Sequence, residues 1–273
     1  MDLEKLQRLA KKVRIDIIEM LKTAKTGHPG GALSLVEILI ILYFVKMHID
    51  PRRPKLDDRD RFILSKGHGA PALYAILAER GFFPVSELGT LRQYKSRLQG
   101  HPDLKSTPGV DMSSGSLGQG LSIANGMAMA AKLKKEKHHT YVILGDGELQ
   151  EGQIWEAVMT AAHYKLDNLT AIVDYNGLQI NGRNEDVINI APIGDKFKTF
   201  GWNVIEIDGH DLLAISKAID TAKECMDKPT VIVAKTVKGK GISFMENVLK
   251  WHGTTPNEAE CNLALVELGG DRK

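Results

Sequence analysis

Residues 141–182 read YVILGDGELQEGQIWEAVMTAAHYKLDNLTAIVDYNGLQING. The stretch opens with a short apolar run, residues 141–144, that stops at Gly145-Asp146-Gly147. A second apolar run, residues 170–173, stops at Asp174-Tyr175-Asn176-Gly177. Between them Ile154, Val158 and Ala161/Ala162 recur at the period of one helix face. Strand, helix and strand of this length predict a βαβ unit, whose two strands lie parallel and end on one edge of a sheet. Asp146 and Asn176 then emerge side by side, where open α/β sheets bind ligands. The fold class this implies is α/β.

A carboxylate and a carboxamide oxygen are hard ligands, suited to a divalent metal such as magnesium that shares its shell with phosphate. Gly145 and Gly147 lack Cβ and let backbone approach an anion closely. The helix that follows aims its amide-rich N-terminus at the same place. Together these features suggest a magnesium–diphosphate site. The competing reading is a pair of turns that merely close two strands.

Twenty-eight residues separate Gly147 from Asn176, a spacing that resembles the thiamine-diphosphate signature. The surrounding words are similar to the transketolase family in order as well as content. They are TGHPGG at 26–31, SKGHG at 65–69, QGHP at 99–102, GSLGQG at 115–120, GDGELQEGQIWEA at 145–157 and WHG at 251–253. The resemblance implies the thiamine-diphosphate-binding fold, specifically its diphosphate-binding domain: a mostly parallel sheet with helices on both faces. It implies thiamine diphosphate and magnesium (or calcium or manganese) as cofactors. Asp146, Asn176 and the Leu178 carbonyl match the metal ligands, and the Gly147 amide matches a diphosphate contact. Gly145, Gly115 and Ser116 fall at cofactor-binding positions, while Leu117 and Ile180 match residues packed on the thiazolium ring. His68 and His252 match histidines beside the diphosphate and substrate; His28 and His101 match those that contact the donor sugar. Imidazole suits such work because it donates or accepts a proton near neutrality. Glu151 matches a carboxylate joining the two cofactor sites of a dimer, or simply complements a helix dipole. Lys238 reaches the phosphate or covers the cofactor, or else is a solvated lysine.

A complete transketolase resembles this chain only over its N-terminal part. The pyrimidine-binding domain, with the glutamate that activates the cofactor and the arginines that hold sugar phosphate, is expected on a separate chain. The partner expected is therefore a separately encoded C-terminal subunit, with self-association to an α2β2 assembly and sugar phosphates as substrates. Two alternatives stand beside this. One is a related thiamine enzyme acting on another sugar or a 2-oxo acid; the other is a non-catalytic cofactor-binding or regulatory homologue.

Composition is ordinary for a soluble globular protein. The chain has 273 residues, 43% hydrophobic and 26% charged, with a formal charge of +2. That charge is too small to argue for nucleic acid or a membrane surface. No apolar run approaches the ~20 residues that span a bilayer. Cys225 and Cys261 show no metal spacing and fit thiols of a reducing cytoplasm, the expected location. No linker or repeat interrupts the chain, so residues 1–273 are expected to form one domain.

Periodicity predicts an amphipathic helix over 3–25 and a second from Ser34, its expected N-cap, with Glu37 completing a capping box. A strand is expected over 61–64, a helix over 71–80 and an extended loop over the site at 81–112, a run long enough to be functional or to contain short elements of its own. An Ala/Met helix over 121–133 carries small residues suited to tight packing or an oligomer interface. The basic run 132–139 is expected to be a solvated helix end. Further strands are expected over 202–207 and 230–236, with Asp211 capping the helix between them and His210 structural in the turn. A short helix is expected near Lys196, a flexible loop over 238–241 and a last helix over 256–268.

Overall fold

The computed structural model describes residues 1–269. Among them, ten α-helices and seven strands follow in chain order: α1 (Leu3–Ala24), α2 (Pro29–Leu33), α3 (Val36–Ile41), β1 (Arg61–Leu64), α4 (Ala70–Arg80), α5 (Gly120–Lys134), β2 (Thr140–Gly145), α6 (Gly152–His163), β3 (Leu169–Tyr175), β4 (Leu178–Gln179), β5 (Gly182–Arg183), α7 (Asn184–Val187), α8 (Ile193–Thr199), β6 (Asn203–Asp208), α9 (Leu212–Glu224), β7 (Thr230–Lys235) and α10 (Glu258–Glu267). Five strands form one parallel sheet in the order β1-β2-β3-β7-β6, and β4 and β5 form a small antiparallel hairpin.

The central strands are buried on both faces, and their side chains divide between two cores with the period of two that a strand imposes. Phe62, Leu64, Tyr141, Ile143, Ile172 and Ile232 join the core built with α1 to α4, α9 and α10. Ile63, Val142, Leu144, Ala171, Val173 and Val231 join the core built with α5, α6 and α8. β2 and β3 are neighbours, with Gly145 opposite Asp174, so Asp146 and Asn176 leave the sheet at the same edge.

Several expectations give way to tertiary contacts. Ser34 does not N-cap a helix; it closes the C-terminal end of α2, its amide donating to the Gly30 and Ala32 carbonyls. A helix starts at Pro29, and the Ser34 hydroxyl bonds to the Gly31 carbonyl and to Asp174 across the fold. Glu37 turns inward to Arg14 and His210, so no capping box forms. The loop over 81–112 does contain a short element, as its length allows: a 3-10 helix, Val85–Thr90. The basic run is solvated only in part: α5 ends at Lys134, but His138 and His139 are buried, 6% and 8% exposed. The loop over 238–241 is anchored, since Lys238 is buried and Gly239 N–H donates to the Gly30 carbonyl (3.0 Å). Asp211 caps α9 as its position suggests, accepting from the Leu213 and Ala214 amides. α10 opens with a capping box, Asn257 and Glu260, that sequence reading passed over.

Candidate active site

The site grows from a carboxylate that sequence reading passed over. Asp174, the sixth residue of β3, has no exposed surface, a position a charge occupies only when paired. The Lys66 ammonium donates to Asp174 Oδ2 (2.5 Å), as do the Ser34 hydroxyl (2.8 Å) and the Asn176 amide (3.3 Å). The Thr236 hydroxyl donates to the other oxygen. Burial alone would raise the Asp174 pKa, but Lys66 and the hydroxyls hold it below its usual value. Lys66 in turn donates to the Gly31 carbonyl (3.1 Å), which ties the residue 26–31 loop to the end of β1. Glu148 is a second missed carboxylate. It accepts from the Gly145 and Gly118 amides (2.9 Å each) and from Ser65, lashing the GSLGQG loop to the Gly145-Asp146-Gly147 turn.

Asp146 is 2% exposed and accepts from the Gly147 (2.8 Å) and Gly177 amides. Burial, then the Asp174 charge, push its pKa up to about 6, so this carboxylate lacks a full countercharge. Asn176 Oδ1 accepts from the Leu178 amide (3.2 Å), and the Leu178 carbonyl accepts from the Lys238 ammonium (2.8 Å). One of the three expected metal-binding oxygens thus already faces a cation. Among the described residues no three His, Cys, Asp or Glu side chains gather as metal ligands. An Asp–Asn–carbonyl set is a different, all-oxygen type, and it fits magnesium better than zinc.

Three histidines from three loops stand over this floor. His28, His68 and His252 have ring centroids 5.3, 5.9 and 5.4 Å apart in the pairs 28–68, 28–252 and 68–252. His252 Nδ1 lies 2.9 Å from Lys238 Nζ and accepts a hydrogen bond from it, which leaves the hydrogen of the neutral His252 ring on Nε2. Burial, and then Lys238, lower the His252 pKa to about 3; burial, and then Arg92, lower that of His28 to about 4. Burial and Lys66 carry His68 well below its ordinary value. His101 is exposed and is lowered by burial and Arg92; its ring packs where a Cβ on Gly115 would sit, 3.3 Å from Cγ. Neutral imidazoles beside Lys66, Lys238 and Arg92 make a pocket that favours an anion.

Gly30 is required here for space, since a Cβ would lie 2.9 Å from both Lys238 Cγ and the Trp251 carbonyl. Glu151 is exposed at the N-cap of α6 and joins no salt bridge among the described residues. Leu117 is half-buried and Ser116 exposed, while Ile180 stands 70% exposed between β4 and β5. Lys66, Asp174 and Glu148 were legible only as charged residues inside or abutting apolar strands, a pattern that marks a buried, paired group.

Residues 5–273 match the family described as "Transketolase, thiamine diphosphate binding domain". The chain belongs to this transketolase family. It is 45% identical over 263 residues to the 6-deoxy-6-sulfo-D-fructose transketolase subunit of Clostridium sp. (strain MSTE9), covering 96% of each. It is 42% identical to an apulose-4-phosphate transketolase subunit of Phocaeicola vulgatus, covering 98% of this chain and 95% of that one. Human transketolase is 43% identical, but there the match covers 92% of this chain and only 40% of the relative. The crystal structure of transketolase from Campylobacter jejuni superposes with a TM-score of 0.93 at 36% identity, over 99% of this chain and 44% of that one. Transketolase-type chains thus include both subunits of this length and longer single chains, and this one spans less than half of the latter. No helix among the described residues is long and apolar enough to cross a membrane, and both cysteines are free thiols.

Proposed function

We propose that this chain is the diphosphate-binding subunit of a two-chain, thiamine-diphosphate- and magnesium-dependent transketolase, working in the cytoplasm. It would transfer a two-carbon ketol unit from a ketose phosphate to an aldose phosphate, as in pentose phosphate metabolism. The observation that carries this reading is the placement of Asp146, Asn176 and the Leu178 carbonyl beneath three neutral histidines and two buried lysines. The near end-to-end match to relatives named as transketolase subunits supports the two-chain form.

Asp146, Asn176 and the Leu178 carbonyl would hold magnesium, or calcium or manganese in its place. A metal on the Leu178 carbonyl would displace the Lys238 ammonium, freeing it for the diphosphate, while the Gly147 amide adds a donor. When bound, thiamine diphosphate supplies the carbon nucleophile and electron sink for breaking and remaking a carbon–carbon bond next to a carbonyl. The chain's own work is to bind, orient and move protons. His28 and His101 would bond the donor sugar's hydroxyls and carbonyl oxygen, and their lowered pKa values keep them free to accept a proton at neutral pH. His68 and His252 would lie between diphosphate and substrate. Glu151, exposed at its helix start, would meet a second protomer. Ile180, also exposed, would be covered by the cofactor or a partner chain.

The test is ketol transfer from xylulose 5-phosphate to ribose 5-phosphate with magnesium and thiamine diphosphate. The chain purified gently from its own cells is compared with the same chain stripped of co-purifying protein. Activity that disappears on stripping and returns with the partner supports the reading; activity of the lone chain sinks the two-chain form. Because relatives are named for a sulfo-sugar and for apulose 4-phosphate, the donor panel includes a sulfonated ketose and a branched one. Cofactor binding with no transfer from any donor, partner present, would favour a regulatory role.

A further inference from the structure

The loop that carries Lys238 is gripped from behind by a buried charged cluster. Arg14 of α1 and Glu37 of α3 form a two-pronged pair, Nη1 to Oε1 at 2.8 Å and Nη2 to Oε2 at 2.9 Å. Both residues are buried, 6% and 8% exposed. Such forks are the strong geometry for a guanidinium and a carboxylate. The third Arg14 donor, Nε, reaches the Lys240 carbonyl (2.8 Å). Glu37 Oε2 also faces His210 Nδ1 (3.0 Å), and the Val237 amide donates to His210 Nε2 (2.9 Å).

The protons in this chain are assigned by elimination. A backbone N–H can only donate, so His210 Nε2 carries the lone pair and Nδ1 carries the hydrogen that Glu37 accepts. Burial opposes the Glu37 charge, but His210 and Arg14 hold its pKa down at about 2. The carboxylate is therefore shared between two groups, and each has its remaining polar contact on the same segment. Arg14 holds residue 240 and His210 holds residue 237, the two sides of Lys238. Close approach is built in: a Cβ on Gly241, at φ +92°, would lie 2.8 Å from Arg14 Cδ and Nε. Within the described residues these three side chains make no hydrogen bond to the site histidines; their line of action runs through the loop.

We propose that Arg14, Glu37 and His210 are positioning residues that hold Lys238 at the diphosphate end of the site. The inference rests on the transketolase reading above and names how that site is kept in register. Lys238 stands beside the Leu178 carbonyl and His252, so a shift of its loop would carry the ammonium away from the diphosphate that the metal frees it to meet.

The experiment is a double-mutant cycle on the affinity of the two-chain complex for thiamine diphosphate with magnesium, read by calorimetry. His210→Phe keeps the ring but removes both hydrogen bonds; His210→Gln keeps one donor and one acceptor. A hydrogen bond to a charged group is worth about tenfold or more in affinity, so His210→Phe should weaken binding about tenfold and His210→Gln far less. In a Lys238→Met background, His210→Phe should change affinity little, because its effect passes through Lys238. Effects that multiply in the double variant, or His210→Gln as weak as His210→Phe, would overturn the positioning role. Should His210→Phe not fold, Arg14→Lys takes its place, since lysine keeps the charge beside Glu37 but loses the grip on Lys240. A wild-type complex that binds no thiamine diphosphate would overturn the functional reading along with this one; a wild type that binds, with multiplying effects, overturns only this one.

Discussion

Asp174 takes hydrogen bonds from Lys66, Ser34, Thr236 and Asn176, four groups from four separate segments. Its charge is what allows Lys66 to be buried at 2% exposure. Asp174→Asn would leave that ammonium without a countercharge, a loss of about 3–5 kcal/mol for a broken buried pair. Urea denaturation of the chain should show it, and cofactor affinity should fall with it. On the proposed function, His28 and His101 would act on the reaction rather than the fold. Alanine at either should lower turnover about 100-fold or more while shifting the thiamine diphosphate dissociation constant much less. Equal losses in both quantities would assign them to cofactor binding instead. His139 lies away from the site, against Thr170 (2.8 Å) and the Tyr141 ring, and burial followed by Lys223 lowers its pKa to about 3. Its unfolded imidazole takes a proton near pH 6.5 and the folded one does not. A lowered pKa means full stability above pH 6.5 and loss as pH falls from there towards 3. Wild type should therefore lose about 1.4 kcal/mol per pH unit relative to His139→Gln in that window, measured as denaturation midpoints at pH 7, 6 and 5.

Among the elements, those whose apolar period is set by a neighbouring sheet or helix were legible, and those shaped by polar contacts across the fold were not. α1, α4, α5, α6, β1, β2, β3 and β7 appear within a residue or two of where periodicity places them. Ser34 and Glu37 have the spacing of a capping box, but Asp174 and Arg14 outcompete the local backbone for them. That choice is made by partners 140 and 23 residues away, which no local window contains. The loops of the site show the same limit. Glycine and histidine words announce that residues 65–69 and 113–120 matter, but not that they touch. A Cβ on Gly67 would lie 2.7 Å from Ser114 Oγ and 2.9 Å from the Gly115 amide. Gly67→Ala should therefore push the two loops apart. Overpacking of this kind costs about 1–3 kcal/mol. Both the thermal midpoint and cofactor affinity should drop, whereas Gly81→Ala, with no atom within 4 Å but φ +95°, should lower the midpoint alone.

At the scale of the whole molecule, the question is which surface meets another chain. α5 packs on the sheet through Ala124, Ala128 and Ala131, each fully buried. The flanking face carries Ile123, Gly126, Met127 and Ala130, spaced i, i+3, i+4 and i+7; Met127 also packs against the core, and the other three are exposed. Apolar residues at that spacing form a continuous stripe, and a solvent-facing helix has no need of one. Small residues within it let a second helix approach closely. A second copy of this chain is the occupant that fits the expected α2β2 assembly, since one stripe can pair with itself about a two-fold axis. Gly126 offers the cleanest test because no atom lies within 4 Å of where its Cβ would be. Gly126→Glu thus leaves the isolated fold intact, and glutamate is the better helix former by about 0.5–1 kcal/mol. Across a two-fold contact the same change buries two like charges. Light scattering should show the wild-type chain as a dimer and Gly126→Glu as a monomer with an unchanged or raised thermal midpoint. A variant that remains dimeric would move the interface off α5, and a wild type that is monomeric alone would make dimer formation depend on the partner chain.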